Sequence, residues 1–188
     1  MATEHHSDTT IPVNDHITLQ AADERFVHDL YQLIVKNRDY LQQFLDWPQY
    51  VRTVDDTRKT LQSNMLLHQR GYAKTFMIVV DEVVTGVLAF NTIEPLNKTA
   101  YIGYWLDKEA QGQGILSQAL QALMAFYARR GDVRRFVIKC RVANHASNQV
   151  AKRNGFTLEG CLKQAEFLNG HYDDQNIWAK VVTHDQSA

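Results

Sequence analysis

The stretch "LDKEAQGQGILSQALQALMAFYARRGD", Leu106 to Asp132, decides the fold. Leu116, Leu120, Leu123, Met124 and Tyr127 recur at helical spacing, so an amphipathic helix fills its second half. Its start is unusual. Gln111-Gly112-Gln113-Gly114 puts two poor helix formers where a Ser or Asp cap would serve. A helix N-terminus presents unpaired N–H groups and a partial positive charge, and glycines let an anion's oxygens approach that backbone without meeting a Cβ. The pattern points to a phosphate-binding turn between a strand and a helix; a merely flexible turn is the plainer alternative. No Gly-Lys-Ser or Gly-Lys-Thr follows, which excludes a P-loop. A dinucleotide fingerprint fails as well: Ser117 stands where its third Gly belongs, and Asp132 precedes the next strand instead of ending it.

Upstream, Phe26, Leu30, Leu33, Ile34 and Leu41 mark a helix from Asp23 to about Phe44, interrupted by Pro48 in "LDWPQYV". Asp55 or Asp56 is expected to cap a second helix that runs to His68 and stops near Gly71. "KTFMIVVDEVVTGVLAFNTI" reads as two strands joined by a tight turn at Asp81-Glu82, and "TAYIGYWLD" as a third. Downstream, "RRFVIKCRV" is a strand and "ANHASNQVAKRNGF" a short helix stopped by Gly155. Two long strands then surround Asn169-Gly170, a strong hairpin signal. This order predicts an α/β chain of the α+β kind, with about four helices packed on one mixed sheet. Residues 1–14 read as a flexible polar arm, 15–182 as one domain and 183–188 as a tail.

Composition narrows the function. The 188 residues, 45% of them hydrophobic, suit a single core. A net charge of −1 with dispersed Lys and Arg offers no basic face for nucleic acid. No apolar run reaches bilayer length, and "MATEHHSDTTIPVND" lacks the basic and apolar regions of a secretory signal. Two cysteines, Cys140 and Cys161, make no disulfide framework and fit the reducing cytoplasm. The eight His residues lack ligand spacing, so no metal is expected.

"QGQGI", set between a strand and an amphipathic helix, resembles the acetyl-CoA pyrophosphate loop of the GNAT N-acetyltransferases, Q/R-x-x-G-x-G/A. Gln111 and Gly114 match, while Leu116 replaces the last small residue. "IEPLNKTAYIGYWLD", "NHASNQVAKRNGF" and "EGCLKQAEFLNGHYDD" resemble blocks of the RimJ/RimL branch. "LDWPQYV", "DDTRKT" and "HQRGYAK" resemble its ribosomal-protein-serine acetyltransferases, so the resemblance spans about residues 15 to 182. It implies a GNAT-type fold: a mostly antiparallel sheet in which one parallel pair, "AYIGYWLD" and "FVIKCRV", splays apart. It also implies acetyl-CoA as cosubstrate, no metal, a homodimer, and the N-terminal Ser of the ribosomal stalk protein as acceptor. The backbone of Tyr104, Trp105 and Leu106 would take the pantetheine arm. Gln111 and the amides of Gly112, Gln113, Gly114, Ile115, Leu116 and Ser117 would take the pyrophosphate. Cys140, Asn144 and Asn148 complete the implied cofactor set, although Asn144 also reads as an ordinary turn residue.

Acetyl transfer to an amine needs a neutral amine, a polarised thioester carbonyl and a protonated leaving thiolate. Many family members protonate the thiolate with a Tyr four residues before the Gly of Gly155-Phe156. Here that position is Ala151, and Ser147, one helical turn earlier, becomes the candidate acid. Glu166 in "KQAEFLNG" is the candidate base, against the alternative that it simply faces solvent. Trp47 and Tyr50 either line the acceptor cleft or pack in the core. An α-amine has a pKa of about 7.7–8.0 against about 10.4 for Lys, so it is neutral about 300-fold more often, worth about 3.4 kcal/mol. A carboxylate therefore suffices for an N-terminal acceptor. A small amine (polyamine, antibiotic or amino-nucleotide) and a non-catalytic CoA-binding module are the competing readings. A covalent acetyl-Cys140 route is conceivable but has no His beside it in sequence.

Overall fold

The hairpins that the sequence marks most clearly form the framework. In this computed structural model, which describes residues 9–183, Asp81 and Glu82 both have positive φ (46° and 68°), as do Asn169 and Gly170 (52° and 81°). These are two-residue turns that match the twist of the strands they join. The first joins β3 (Lys74–Val80) to β4 (Val83–Glu94), and the second joins β7 (Thr157–Leu168) to β8 (His171–Val181). Before them come β1 (Thr10–Pro12), β2 (Ile17–Ala21), α1 (Val27–Leu41) and α2 (Val54–Arg70). Between them lie β5 (Thr99–Leu106), α3 (Ile115–Arg129), β6 (Arg135–Arg141) and α4 (His145–Arg153).

The eight strands form one sheet in the order β1-β2-β3-β4-β5-β6-β8-β7. Every neighbouring pair is antiparallel except β5 and β6. That parallel pair is joined only at Thr99–Arg135, Ala100–Phe136 and Tyr101–Val137. Beyond Tyr101 and Val137 the strands part, while β4 and β8 still hold their outer edges. The expected splay is present, and it leaves two facing strand edges unpaired.

Apolar side chains fill both faces of the sheet. Leu120, Leu123 and Met124 of α3 and Ala151 of α4 pack against Phe76, Phe90 and Phe136 on one side. Leu30, Leu33 and Ile34 of α1 and Leu61 of α2 pack against Met77 and Val79 on the other. Among the described residues no helix is long and apolar enough to cross a membrane.

Two sequence expectations need correction. Thr10–Pro12, assigned to the arm, is an edge strand on β2 whose Ile11 is only 3% exposed; one inward apolar residue in a polar segment is too little periodicity to announce a strand. The rest of the arm up to residue 8 and the tail from residue 184 lie outside the described residues. The cap of α2 is Thr53, not Asp55 or Asp56: its hydroxyl accepts the Asp56 N–H while the Asp56 carboxylate accepts the Thr53 N–H at 2.9 Å. This is a reciprocal capping box, and Asp56 belongs to it from inside the helix.

Candidate active site

The parting of β5 and β6 opens a cleft of about 320 Å³. Tyr104, Trp105 and Leu106 line it from β5, Cys140 from β6, Gln111 and Leu116 from the start of α3, Asn144 and Ser147 from the start of α4, and Glu166 from β7. Nine of the residues singled out from the sequence thus meet in one space. A second cavity of about 280 Å³, under α1 and α2, shares Tyr104, Trp105, Gly103 and Asn91 with the first. Trp47 lines it, its ring centroid 6.0 Å from that of Trp105. Tyr50, the other candidate for that wall, is 62% exposed and lines neither space.

The glycine turn leaves the first amides of α3 without helical acceptors. Gly114 caps α3 in a left-handed conformation (φ 74°), and the first helical bond runs from the Gln118 N–H to the Gly114 carbonyl at 3.1 Å. The amides of Ile115, Leu116 and Ser117 precede that bond and have no acceptor within the helix. A Cβ on Gly114 would meet only the end of the Gln118 side chain at 3.5 Å, so conformation and not crowding selects glycine. Gln111 braces the turn: its Nε2 donates to the Leu106 carbonyl at 3.3 Å and to the Tyr40 hydroxyl at 3.2 Å. Gly112, Gln113, Gly114, Ile115 and Ser117 stand beside the cleft and not on its wall. Leu116 leaves the buried stripe and faces the cleft, while Ile115 and Ala119 take up the core contact.

Asn144 plays the turn role that its position allowed. It caps α4, its side-chain oxygen accepting the Ser147 N–H at 3.2 Å, and it lines the cleft at the same time. Asn148 departs from its expected place as a cofactor ligand. Its Oδ1 accepts from the Cys140 thiol (3.3 Å), Asn176 (2.9 Å) and the Trp178 indole (2.9 Å). Its Nδ2 donates to the carbonyls of Arg141 (3.0 Å) and Asn144 (2.8 Å). An amide so fully engaged ties α4 to β6 and β8 and has nothing left for a ligand.

Ala151 is fully buried, so a hydroxyl one turn earlier is the one that reaches the cleft. Ser147 Oγ lies 2.6 Å from the Tyr104 hydroxyl. Burial pushes the Tyr104 phenol up to about 12. It also pushes the Cys140 thiol up, helped by the Glu166 charge and opposed by a hydrogen bond with Ser147, so this sulfur is a thiol at neutral pH. Glu166 is half-buried, and its carboxylate accepts from Gln175 Nε2 at 3.2 Å. Among the described residues no group of three or more His, Cys, Asp or Glu is placed to hold a metal. Sequence reasoning gave Tyr104 a backbone role only. Strand alternation sets its side chain with Ile102 and Leu106, but the contact with Ser147 spans 43 residues and had no local signal.

Known proteins share this fold and much of this sequence. A sequence profile of the acetyltransferase (GNAT) domain matches residues 16–157. The ribosomal-protein-serine acetyltransferase of Escherichia coli (strain K12) is 63% identical over 173 residues, 92% of this chain and 97% of that protein. Among solved structures, RimL, the ribosomal L7/L12 alpha-N-protein acetyltransferase, in complex with coenzyme A through a cysteine–CoA disulfide, superposes with a TM-score of 0.91 at 63% identity, covering 93% of this chain and 98% of that one. The microcin C7 self-immunity acetyltransferase MccE, in complex with acetyl-CoA and AMP, superposes with a TM-score of 0.88 at 42% identity, covering 90% and 94%. A splayed parallel pair, free amides at the head of α3 and this similarity along nearly the whole length agree: the chain belongs to the GNAT family and is an acetyl-CoA-dependent N-acetyltransferase.

Proposed function

We propose that the protein acetylates the N-terminal α-amine of a Ser-starting ribosomal protein of the L7/L12 type, by direct attack of that amine on acetyl-CoA. One observation carries the reading: Glu166 and Ser147 line the same cleft from different strands and helices, at the point where β5 and β6 separate. Glu166, directly or through a water, takes the amine proton, and Ser147 gives its proton to the departing thiolate. The free edges of β5 and β6 match the amide groups of a pantetheine arm, and the head of α3 matches a diphosphate. The 63%-identical relative is a ribosomal-protein-serine acetyltransferase, which supports the acceptor class. We further read the protein as cytoplasmic, because its proposed acceptor is ribosomal, and as a homodimer, a reading supported by the open outer edge of β7 and its exposed Leu158, Leu162 and Phe167.

An amine-bearing nucleotide is the second reading, supported by the 42%-identical relative bound to AMP and by the Trp47–Trp105 pair in the second cavity. Mass spectrometry of ribosomal proteins treated with the enzyme and acetyl-CoA separates the two. A gain of one acetyl group on a Ser N-terminus is expected. Glu166→Gln and Ser147→Ala should each lower kcat by about 10²–10⁴ while coenzyme A still binds. Parent rates in both variants would remove the acid and base assignments.

A further inference from the structure

Ser147 is a weak acid for its assigned task, and the structure supplies it with a neighbour. Tyr104 projects from the splayed end of β5, and its hydroxyl meets Ser147 Oγ at 2.6 Å across the cleft wall. At that distance one oxygen donates, and a phenol, being the stronger acid of the two, is the favoured donor. The Ser147 proton is then left for the cleft side. There Cys140 lines the same cleft, its sulfur of the kind the reaction creates. The Cys140 thiol directs its own proton away, to Asn148 Oδ1 at 3.3 Å.

We propose that Tyr104 is a positioning residue for acetyl transfer: its O–H fixes the Ser147 hydroxyl with the proton toward the leaving sulfur and holds the charge that grows on Oγ. The proposal rests on Ser147 as the acid. As the thioester C–S bond breaks, its electron pair leaves on sulfur. The Ser147 O–H bond breaks, the proton joins that sulfur, and the electron pair stays on Oγ. The Tyr104 hydrogen bond strengthens as Oγ becomes anionic, so it favours the transition state over the ground state. The amine's proton, taken by Glu166 and carried by water, restores the hydroxyl. Because the phenol is the stronger acid of the two, its proton is shared with Oγ while that charge lasts and is wholly its own again once the Ser147 hydroxyl is restored, so no free phenolate persists in the buried site.

The test is a double-variant cycle on the full chain: parent, Tyr104→Phe, Ser147→Ala and the pair. Phe keeps the ring in its packing place and removes only the hydroxyl. Tyr104→Phe is expected to lower kcat about tenfold to a hundredfold with KM for acetyl-CoA and the Kd for coenzyme A unchanged. In the Ser147→Ala background the same change should cost nothing more. Full parent kcat in Tyr104→Phe, with Ser147→Ala impaired, overturns the Tyr104 role and leaves the acid assignment standing. An undiminished loss in the Ser147→Ala background would make Tyr104 act independently of Ser147, which also overturns it. Parent kcat in Ser147→Ala removes the acid assignment and the positioning role with it.

Discussion

A serine hydroxyl and a tyrosine hydroxyl in contact have different fates in a buried cleft, and pH separates them. The Tyr104 phenol, raised by burial to about 12, has a higher pKa in the folded chain than the usual value of about 10. Its contribution to stability is therefore fully present below pH about 10 and is lost as pH rises through about 12. The acceptor α-amine titrates far lower, at about 7.7–8.0. With a Ser-starting peptide, kcat/KM is expected to climb as that amine loses its proton and then stay level to about pH 10. Tyr104→Phe should trace the same curve at a lower height. A descending limb near pH 9 in the parent, absent from Tyr104→Phe, would show the phenol titrating there and contradict the burial argument.

At the scale of elements, the hairpin β7–β8 decides where Glu166 points. Leu162 faces Gln175 and Glu166 faces Asp173, so three residues of β7 oppose a single residue of β8. The bulge is held by Asp174, whose carboxylate accepts the Gln164 N–H at 2.9 Å and pairs with Lys163 Nζ at 3.3 Å. The Gln164 amide, then Lys163, holds the Asp174 carboxyl below its usual value. By linkage this contribution is present above the unfolded carboxylate pKa and fades only as pH falls through the lower, folded one, so neutral pH leaves these contacts in place. Asp174→Ala should lower kcat with the acceptor about tenfold, the scale of a misplaced catalytic group, while coenzyme A affinity holds. Equal kcat in variant and parent would show that Glu166 is aimed by something else.

The same hairpin shows what a sequence can disclose. Its turn was legible because Asn169-Gly170 satisfies a local requirement for positive φ; the head of α3 was legible as a glycine turn, though its glycines were read as room for an anion and it is their positive φ that requires them. The bulge was not, because two extra residues in a polar, exposed strand leave no mark on its periodicity. Thr53 was passed over because the two carboxylates after it gave a louder cap signal. Tyr104 and Asn148 depend on contacts between distant segments, which no local pattern encodes. Glycine positions, strand pairs and the site's neighbourhood were readable; the hydrogen bonds that tune it were not.

For the molecule as a whole, the sheet carries two spaces that meet at its break. One runs between β5 and β6 toward the head of α3, and the other lies under α1 and α2; both touch Gly103, Tyr104 and Trp105. If the two spaces take the two substrates of the proposed reaction, both are present together and a covalent halfway stage is unnecessary. Among the described residues Cys140 is the one sulfur on the cleft wall and the natural candidate for such a stage. Burial holds its thiol protonated, and its hydrogen bond to Asn148 points that proton away from the cleft. Cys140→Ala is therefore expected to keep kcat within about threefold of the parent, with a stability loss of about 1 kcal/mol from the emptied sulfur site. Initial-rate patterns should be sequential, with lines that intersect when both substrates are varied. Incubation with acetyl-CoA alone should release no stoichiometric burst of free coenzyme A and add no acetyl group to the protein's mass. A burst, an acetylated Cys140 peptide and parallel double-reciprocal lines would together establish a ping-pong route, and the break in the sheet would then serve two successive visitors instead of one encounter.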